Sequence, residues 1–359
     1  MSRKAAPVNQ YKGIIFMDKH SYTITEVAKM LKVSPSTVSR AINNAPGVSE
    51  AVREQILNFV EEIGYRPNTI AQSLSRGKSN MVALILGDIR NPFYAGLAFG
   101  IQKNLDKHGY TVTTFNSEYD YRKELEFIQF AKQYHYCGII LVTVNSKEAD
   151  KYLNKLGLPV LLVNRITEHY DGPFVITDNF QAGYIAARHL INLGHKKISF
   201  LSGHHKNSTA SYQRFLGYRQ ALKNYHLAYD EKYCLYDLNW KMETGYEAAE
   251  KIFSQSSSTD FPSAFLLSND LLALGFMDYC DKHNISIPND ISIVSFDNIV
   301  YSGLHRIQLT TVSQHGEKMA EEASKVMIEL LENPPKEPRR IIMEPTLIER
   351  NTTSAYNRD

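Results

Sequence analysis

The chain is poor in cysteine. Cys137, Cys234 and Cys280 are its only three, odd in number and unpaired in spacing. That excludes a disulfide framework or a paired-cysteine zinc site, and suits a reducing cytosol. Long apolar runs are missing as well. No stretch approaches the roughly eighteen apolar residues that a membrane span needs. Tyr11 to Met17 is too short, and too soon followed by charge, to be a secretory core. No strand leads into a GxxxxGKS or GxGxxG phosphate loop, and no Gly-x-Ser-x-Gly elbow occurs. His204-His205 are adjacent and point apart, so they read as an exposed loop rather than a metal pair. These absences disfavour an enzyme, and no cofactor or metal is expected.

What is present is a basic beginning and a long, strand-rich remainder. The net charge of +2 conceals an asymmetry: residues 1–80 carry 11 Lys/Arg against 6 Asp/Glu, whereas 81–359 carry 29 against 32. A basic excess at one end suits contact with phosphates. At 359 residues, 43% of them hydrophobic, the chain is long enough for two or three domains with a sizeable core.

The chain is organised around Thr23 to Ser75. Thr23-Ile24-Thr25-Glu26 is a capping-box pattern, and Ile24, Val27, Ala28 and Leu31 make one apolar stripe of a short helix. A second helix begins a few residues later, with Ser34 as N-cap and Pro35 at the first helical position. Val38, Ala41 and Ile42 form its stripe. Ser36, Thr37, Ser39, Arg40 and Asn43 are left for the other faces. Short hydroxyls and one arginine at a helix start suit phosphates and base edges better than they suit a solvated face. After Pro46-Gly47 a third helix starts near Ser49, buries Val52, Ile56, Phe59, Val60 and Ile63, and stops at Gly64. Two short helices joined by a tight turn, with a third to close the core, describe a helix-turn-helix head.

The ordered set Thr-Ile-x-x-Val-Ala-x-x-x-x-Val-Ser-x-x-Thr-Val-Ser-Arg-x-Ile-Asn, then Gly-Tyr-x-Pro-Asn and Ala-x-Ser-Leu, resembles the lac repressor/galactose repressor family of bacterial transcription regulators. The resemblance continues to about Arg350. It implies that Thr23, Ser34, Pro35, Ser36, Thr37, Ser39, Arg40 and Asn43 face double-stranded operator DNA. It also implies that Asn68 to Ser75 is a hinge helix that pairs across a homodimer and enters the minor groove. Asn68 and Ala71 would be contacts there, and Leu74 would be the wedge between base pairs. Pro35 departs from the hydrogen-bonding residue of some members and offers only apolar contact, for example to a thymine methyl.

From Met81 the pattern changes to short apolar runs alternating with helical stretches: Met81–Leu86, Thr111–Phe115, Cys137–Val142, Pro159–Val163, Phe174–Thr177, Lys197–Leu201, Ala264–Leu267 and Ile291–Phe296. Such alternation gives parallel sheets covered by helices on both faces. About 270 residues of it favour two similar α/β lobes around a cleft, and the resemblance implies a two-lobed, type I periplasmic-binding-protein-like architecture. Its chain crossings are expected near Arg165, Thr311 and Met343. Ligands of open α/β sheets sit beyond the carboxyl ends of the strands. There this sequence places Asp88, Asn269-Asp270 and Asp297-Asn298, although Asp and Asn also serve as turn and cap residues. The resemblance implies Arg214, Trp240, Asn269, Asp297 and Gln314 as effector contacts, with Phe93 at the cleft, and the strand-end rule adds Asp88 to that effector-binding set. That set suits a neutral polyol ring: amides, carboxylate and arginine for hydroxyls, aromatics for the C–H face. No Lys/Arg cluster marks a strongly anionic ligand.

The sequence is therefore read as an N-terminal arm (1–22) that is not expected to be ordered, a head (23–67), a hinge and linker (68–80), a two-lobed effector-binding and dimerisation domain (81–350), and a tail (351–359) expected to be disordered. Met17 is an alternative start. The expected function is a cytoplasmic, sugar-responsive repressor acting as a homodimer, with inducer or corepressor left open. A global catabolite regulator or a nucleobase-responsive repressor of the same fold is the alternative. In the former, the helix over Ser313–Glu332 would meet a phosphocarrier protein. A free-standing sugar-binding protein would need an export signal and no head. No leucine-heptad tail follows Arg350, which favours a dimer over a tetramer.

Overall fold

The computed structural model describes residues 22–65, 79–142, 147–203, 209–254 and 261–356. The chain divides into two compact units, Met1–Gly77 and Lys78–Asp359. In the first, α1 (Ile24–Leu31), α2 (Pro35–Ile42) and α3 (Glu50–Glu62) enclose one small core of Val27, Ala28, Val38, Ala41, Ile56 and Tyr65. Thr23 and Glu26 form the reciprocal capping box: Glu26 N donates to Thr23 Oγ1 at 3.3 Å, and Thr23 N to Glu26 Oε2 at 2.7 Å. Lys32 closes α1 in a left-handed conformation, φ 53°, and the turn to Ser34 follows at once. Asn68, Ala71, Leu74, the N-terminal arm as far as 21, and His204-His205 lie outside the described residues.

In the second unit the first lobe opens with β1 (Met81–Leu86), α4 (Pro92–Asp106), β2 (Thr111–Asn116) and α5 (Tyr121–Gln133). It continues through β3 (Gly138–Val142), α6 (Lys147–Leu153), β4 (Val160–Val163) and β5 (Phe174–Thr177). The second lobe has α7 (Asn179–Asn192), β6 (Ile198–Gly203), α8 (Thr209–Asn224), β7 (Leu235–Leu238) and α9 (Met242–Ser254). It goes on with β8 (Ala264–Leu267), α10 (Asp270–Lys282), β9 (Ser292–Asp297) and β10 (Thr311–Ser313). The chain then returns through α11 (Gly316–Glu332) and β11 (Arg340–Met343) to the first lobe, and ends with β12 (Thr346–Ile348) in the second. The sheet orders are β11-β5-β4-β3-β1-β2 and β12-β10-β9-β8-β6-β7. Every pairing is parallel except β10 with β12.

Strands β1, β3, β8 and β9 are buried nearly throughout because helices cover both faces of each sheet. In the first lobe α4 and α11 pack on one face, around Leu97, Ile101, Met319 and Met327, and α5 and α6 on the other, around Ile128 and Leu153. In the second, α7 and α8 bury Ala186, Phe215 and Tyr218, while α9 and α10 bury Ala249, Phe276 and Tyr279.

Two expectations need correction. The first crossing is at Thr177-Asp178 rather than near Arg165, because β5 still pairs with β4 in the first sheet. Arg165 is buried in the first lobe, where it donates to Glu124 Oε1 at 3.0 Å and also bonds Asp150. The other crossings follow β10, at Gln314-His315, and Met343. The three strands of chain are tied together: Asp178 N donates to Met343 O at 2.9 Å, and His315 Nε2 lies 2.9 Å from Thr346 Oγ1. The tail, expected to be disordered, packs on the second lobe as far as Tyr356. Thr352 Oγ1 donates to Ile293 O at 2.8 Å, and Tyr356 N to Leu193 O at 2.7 Å. Polar side chains there satisfy backbone groups at the sheet edge, which hydropathy does not reveal.

Candidate DNA-binding surface and effector cleft

The start of α2 is a cluster of hydroxyls. Ser34 Oγ accepts from Thr37 N at 3.1 Å, and it lies 2.7 Å from Ser36 Oγ and 2.8 Å from Thr37 Oγ1. Thr23, Ser34, Pro35, Ser36 and Arg40 are exposed, whereas Thr37, Ser39 and Asn43 are half-buried. Asn43 Nδ2 donates to Ser39 O at 2.7 Å. The surface combines the positive end of a helix dipole, hydroxyls of short reach and one exposed guanidinium, which suits a polyanion. One supporting residue escaped the sequence reading. Arg53 reaches from α3 to the carbonyls of Ala41 (3.2 Å) and Ala45 (3.0 Å), fixing the end of α2 against its macrodipole. An arginine on a polar helix face carries no sequence mark of that task.

In the second unit, one narrow cavity lies between the lobes at the carboxyl ends of the strands. Phe93, Arg214, Trp240, Asn269, Asp297 and Gln314 all line it. Phe93 is set by Asn91, whose Oδ1 accepts from Phe93 N at 3.0 Å and caps α4, with Pro92 at the first helical position. Asn269 caps α10 by accepting from Leu272 N at 3.0 Å, and its Nδ2 donates to Trp240 O at 3.4 Å. Cap and cavity wall are one side chain there.

Arg214 is brought in by close packing of α7 on α8: a Cβ on Gly183 would stand 1.9 Å from Arg214 O. Its Nε donates to Asn179 Oδ1 at 2.9 Å and an Nη donates to Ser268 O at 2.7 Å. The guanidinium covers the Phe296 ring at 4.6 Å and stands 4.0 Å from Asp297. Asp297 ends β9 with φ 108°, followed by Asn298 at φ 53°. Such left-handed residues are costly outside glycine and persist where the surroundings hold them. The holders are Arg350, donating to Asn298 Oδ1 at 2.7 Å, and Asp270, accepting from Ile299 N at 2.8 Å. Asp270 also accepts from Ser302 (2.6 Å) and Thr311 (2.7 Å).

Burial pushes the Asp297 carboxyl up to about 7; the Arg214 charge opposes the shift and Asp270 adds to it. Burial likewise raises the Tyr94 phenol to about 12, with Asp297 contributing. Gln314 Nε2 donates to Asp297 Oδ1 at 2.6 Å, while its Oε1 is buried with no hydrogen-bond partner among the described residues. A buried acceptor in that state is suited to a ligand hydroxyl.

Asp88 is not among the cavity-lining residues. Both its oxygens are taken by Arg90, from Nε at 2.9 Å and an Nη at 2.7 Å, and that hydrogen-bonded arginine holds its carboxyl below the usual range. Sequence reasoning missed Asn91, Tyr94, Asn164, Arg165, Thr209, Ser211 and Ser268 on the cavity wall. Tyr94 and Ser268 adjoin residues it did select. Two arginines therefore meet at the cavity, where no basic cluster was expected. Each is countered, Arg165 by Glu124 and Asp150 and Arg214 by Asp297. The wall offers directed donors without a net positive field.

Among the described residues no three His, Cys, Asp or Glu side chains are grouped to hold a metal ion, and no helix is long and apolar enough to cross a membrane.

Residues 23–68 match the family described as bacterial regulatory proteins, lacI family, and residues 187–353 match the periplasmic binding protein-like domain. The HTH-type transcriptional regulator DegA of Bacillus subtilis (strain 168) is 31% identical over 339 residues, 93% of this chain and 99% of that protein. Among solved structures, the lac repressor dimer bound to operator and the anti-inducer ONPF superposes with a TM-score of 0.82 at 21% identity. It covers 94% of this chain and 100% of its own, a likeness of fold. The transcriptional regulator CelR–cellobiose complex gives 0.69 at 25% identity over 92% and 99%.

Proposed function

The chain belongs to the lacI family of bacterial regulatory proteins, DNA-binding transcription regulators and not enzymes, and from that premise we propose that it is a repressor of sugar-utilisation genes switched by a small sugar in the cleft. The observation that carries the effector reading is the grouping of Arg214, Asp297, Gln314 and Asn269 with Phe93 and Trp240 around one cavity. Directed polar groups beside aromatic faces match the alternating hydroxyl and C–H surfaces of a sugar ring. The balanced charge of the wall favours a neutral sugar over a phosphorylated one.

On DNA, Ser34, Thr37, Ser39 and Asn43 hold phosphates and set register, while the exposed Ser36 and Arg40 read base edges, Arg40 on a guanine. Pro35 supplies apolar contact. Thr23, Asn68, Ala71 and Leu74 complete the proposed interface, the last three through the hinge segment. Family members bind DNA as dimers, and a two-fold protein matches a roughly palindromic operator. The second lobe carries an apolar groove with Met242, Tyr301 and Leu304 at its exposed rim, which suits a second copy of the chain. Ligand in the cleft changes the lobe arrangement and thereby whether paired hinge segments form helices. A coupling of about 1–3 kcal/mol is typical.

A second reading, a catabolite regulator that takes a phosphocarrier protein, is favoured by the groove between α4 and α11, which Lys103, Lys107 and Lys318 line together with Glu317, Glu321 and the exposed Phe99. One experiment separates the readings: a thermal-shift and calorimetric screen against mono- and disaccharides, their phosphates, nucleobases and a serine-phosphorylated phosphocarrier. A saturable response to one sugar, lost in Arg214→Ala, is the expected result. A response only to a nucleobase or to the phosphocarrier would replace the sugar reading.

A further inference from the structure

We propose that Tyr119 and Trp240 form an aromatic latch that joins the two lobes beside the cleft, each ring seated on a glycine at the end of the first strand of its own lobe. The rings meet at 5.0 Å between centroids, tilted by 40°, within the range of favourable aromatic pairs. They arise from equivalent places. Tyr119 follows the edge strand β2, which lies beside β1; Trp240 follows the edge strand β7, which lies beside β6.

The two seats are equivalent as well. Gly87 directly follows β1, and a Cβ there would stand 2.2 Å from Tyr119 Cε1. Gly203 ends β6, and a Cβ there would stand 2.3 Å from Trp240 Cε2. Only glycine lets either ring lie flat against its strand end. On the first-lobe side the tyrosine is held by a left-handed pair, Glu118 at φ 53° and Tyr119 at φ 61°. Its ring continues a ladder through Tyr94 (6.5 Å) to Phe93 (5.6 Å), both of which line the cavity. On the second-lobe side Asn269 Nδ2 holds Trp240 O. The latch thus connects the cavity wall to the contact that spans the lobes. Its purpose, admitting a ligand ring only when the two aromatics part, rests on the cavity being the effector site; the contact itself does not.

Trp240 is the only tryptophan of the chain, so tryptophan fluorescence of the full-length protein reads the surroundings of this one ring. The test is acrylamide quenching in the absence of any sugar, so a failed sugar screen and a failed latch are separate results. Tyr119→Ala is expected to raise the quenching constant several-fold and shift emission to the red. Tyr119→Phe, which keeps the ring, is expected to match wild type. Gly87→Ala, which displaces the tyrosine ring, is expected to behave as Tyr119→Ala. A wild-type quenching constant in Tyr119→Ala, or in Gly87→Ala should the former not fold, overturns the latch. So does Tyr119→Phe quenching as strongly as Tyr119→Ala.

Discussion

The head and the cleft use the same residue types in opposite ways. At Ser34 a capping side chain stands in solvent with other hydroxyls around it, and seven of the residues proposed for DNA contact lie between Ser34 and Asn43. At Asn269 a capping side chain is buried, and the cavity it lines draws on positions from Asn91 to Gln314. The head presents local structure outward. The cleft gathers strand ends that only a parallel sheet can bring together. A change in the head should therefore act through its helix surface, and a change in the cleft through buried charge and packing.

The largest effect is expected at the cleft. Arg214→Ala leaves Asp297 buried without its cation, a loss of about 3–5 kcal/mol when a buried pair is broken. Thermal unfolding of the two-lobed unit should fall accordingly while the head's transition stays in place; a matched fall in both would erase the distinction between the units. Ile56→Ala is the converse change. Ile56 is about 1% exposed in the small head core, and its truncation should cost about 2–5 kcal/mol. Binding should then be lost on every DNA sequence, with ligand responses of the two-lobed unit retained.

Arg40→Ala should be milder and more selective, about 1–3 kcal/mol on the cognate operator and less on random DNA. An equal loss on both, measured by fluorescence anisotropy, would assign Arg40 to phosphate instead.

A further effect concerns pH. Asp297 is raised from its ordinary value of 3.8 to about 7 in the folded state, so between those values the native protein holds the extra proton. The stability it contributes is full below about pH 4 and is lost as pH rises through about 7. Asp297→Asn should flatten that part of the stability–pH curve, read by chemical denaturation from pH 4 to 8.

The comparison also explains what could be read from the sequence. Thr23, Ser34, Pro35 and Gly64 are short-range signals, and α1 to α3 begin and end where those residues indicate. Strand–helix alternation was equally legible, because strands buried on both faces are nearly continuous apolar runs. The first crossing was not. Strand β5 is only four residues long, and its place in the first sheet depends on pairing with β4 and β11. The short strands β7, β10, β11 and β12 were unmarked for the same reason.

Within the cavity, Arg214, Trp240 and Gln314 were reached through resemblance, and the chemistry of strand-end amides and carboxylates independently pointed to Asn269 and Asp297. Asp88 met the same strand-end rule and is instead engaged by Arg90, two residues away. Tyr119 was missed because a left-handed turn after an edge strand aims it, and no periodicity reports that.

On the proposed function, a small sugar in the cleft sets the affinity of the head for DNA. The most direct test is operator affinity of the full-length protein, by anisotropy at fixed salt, with and without the sugar that saturates the cleft. The expected result is a change of about 5–150-fold, with the reciprocal change in sugar affinity when operator is present. A sugar that binds at the cleft and leaves operator affinity unchanged would contradict it.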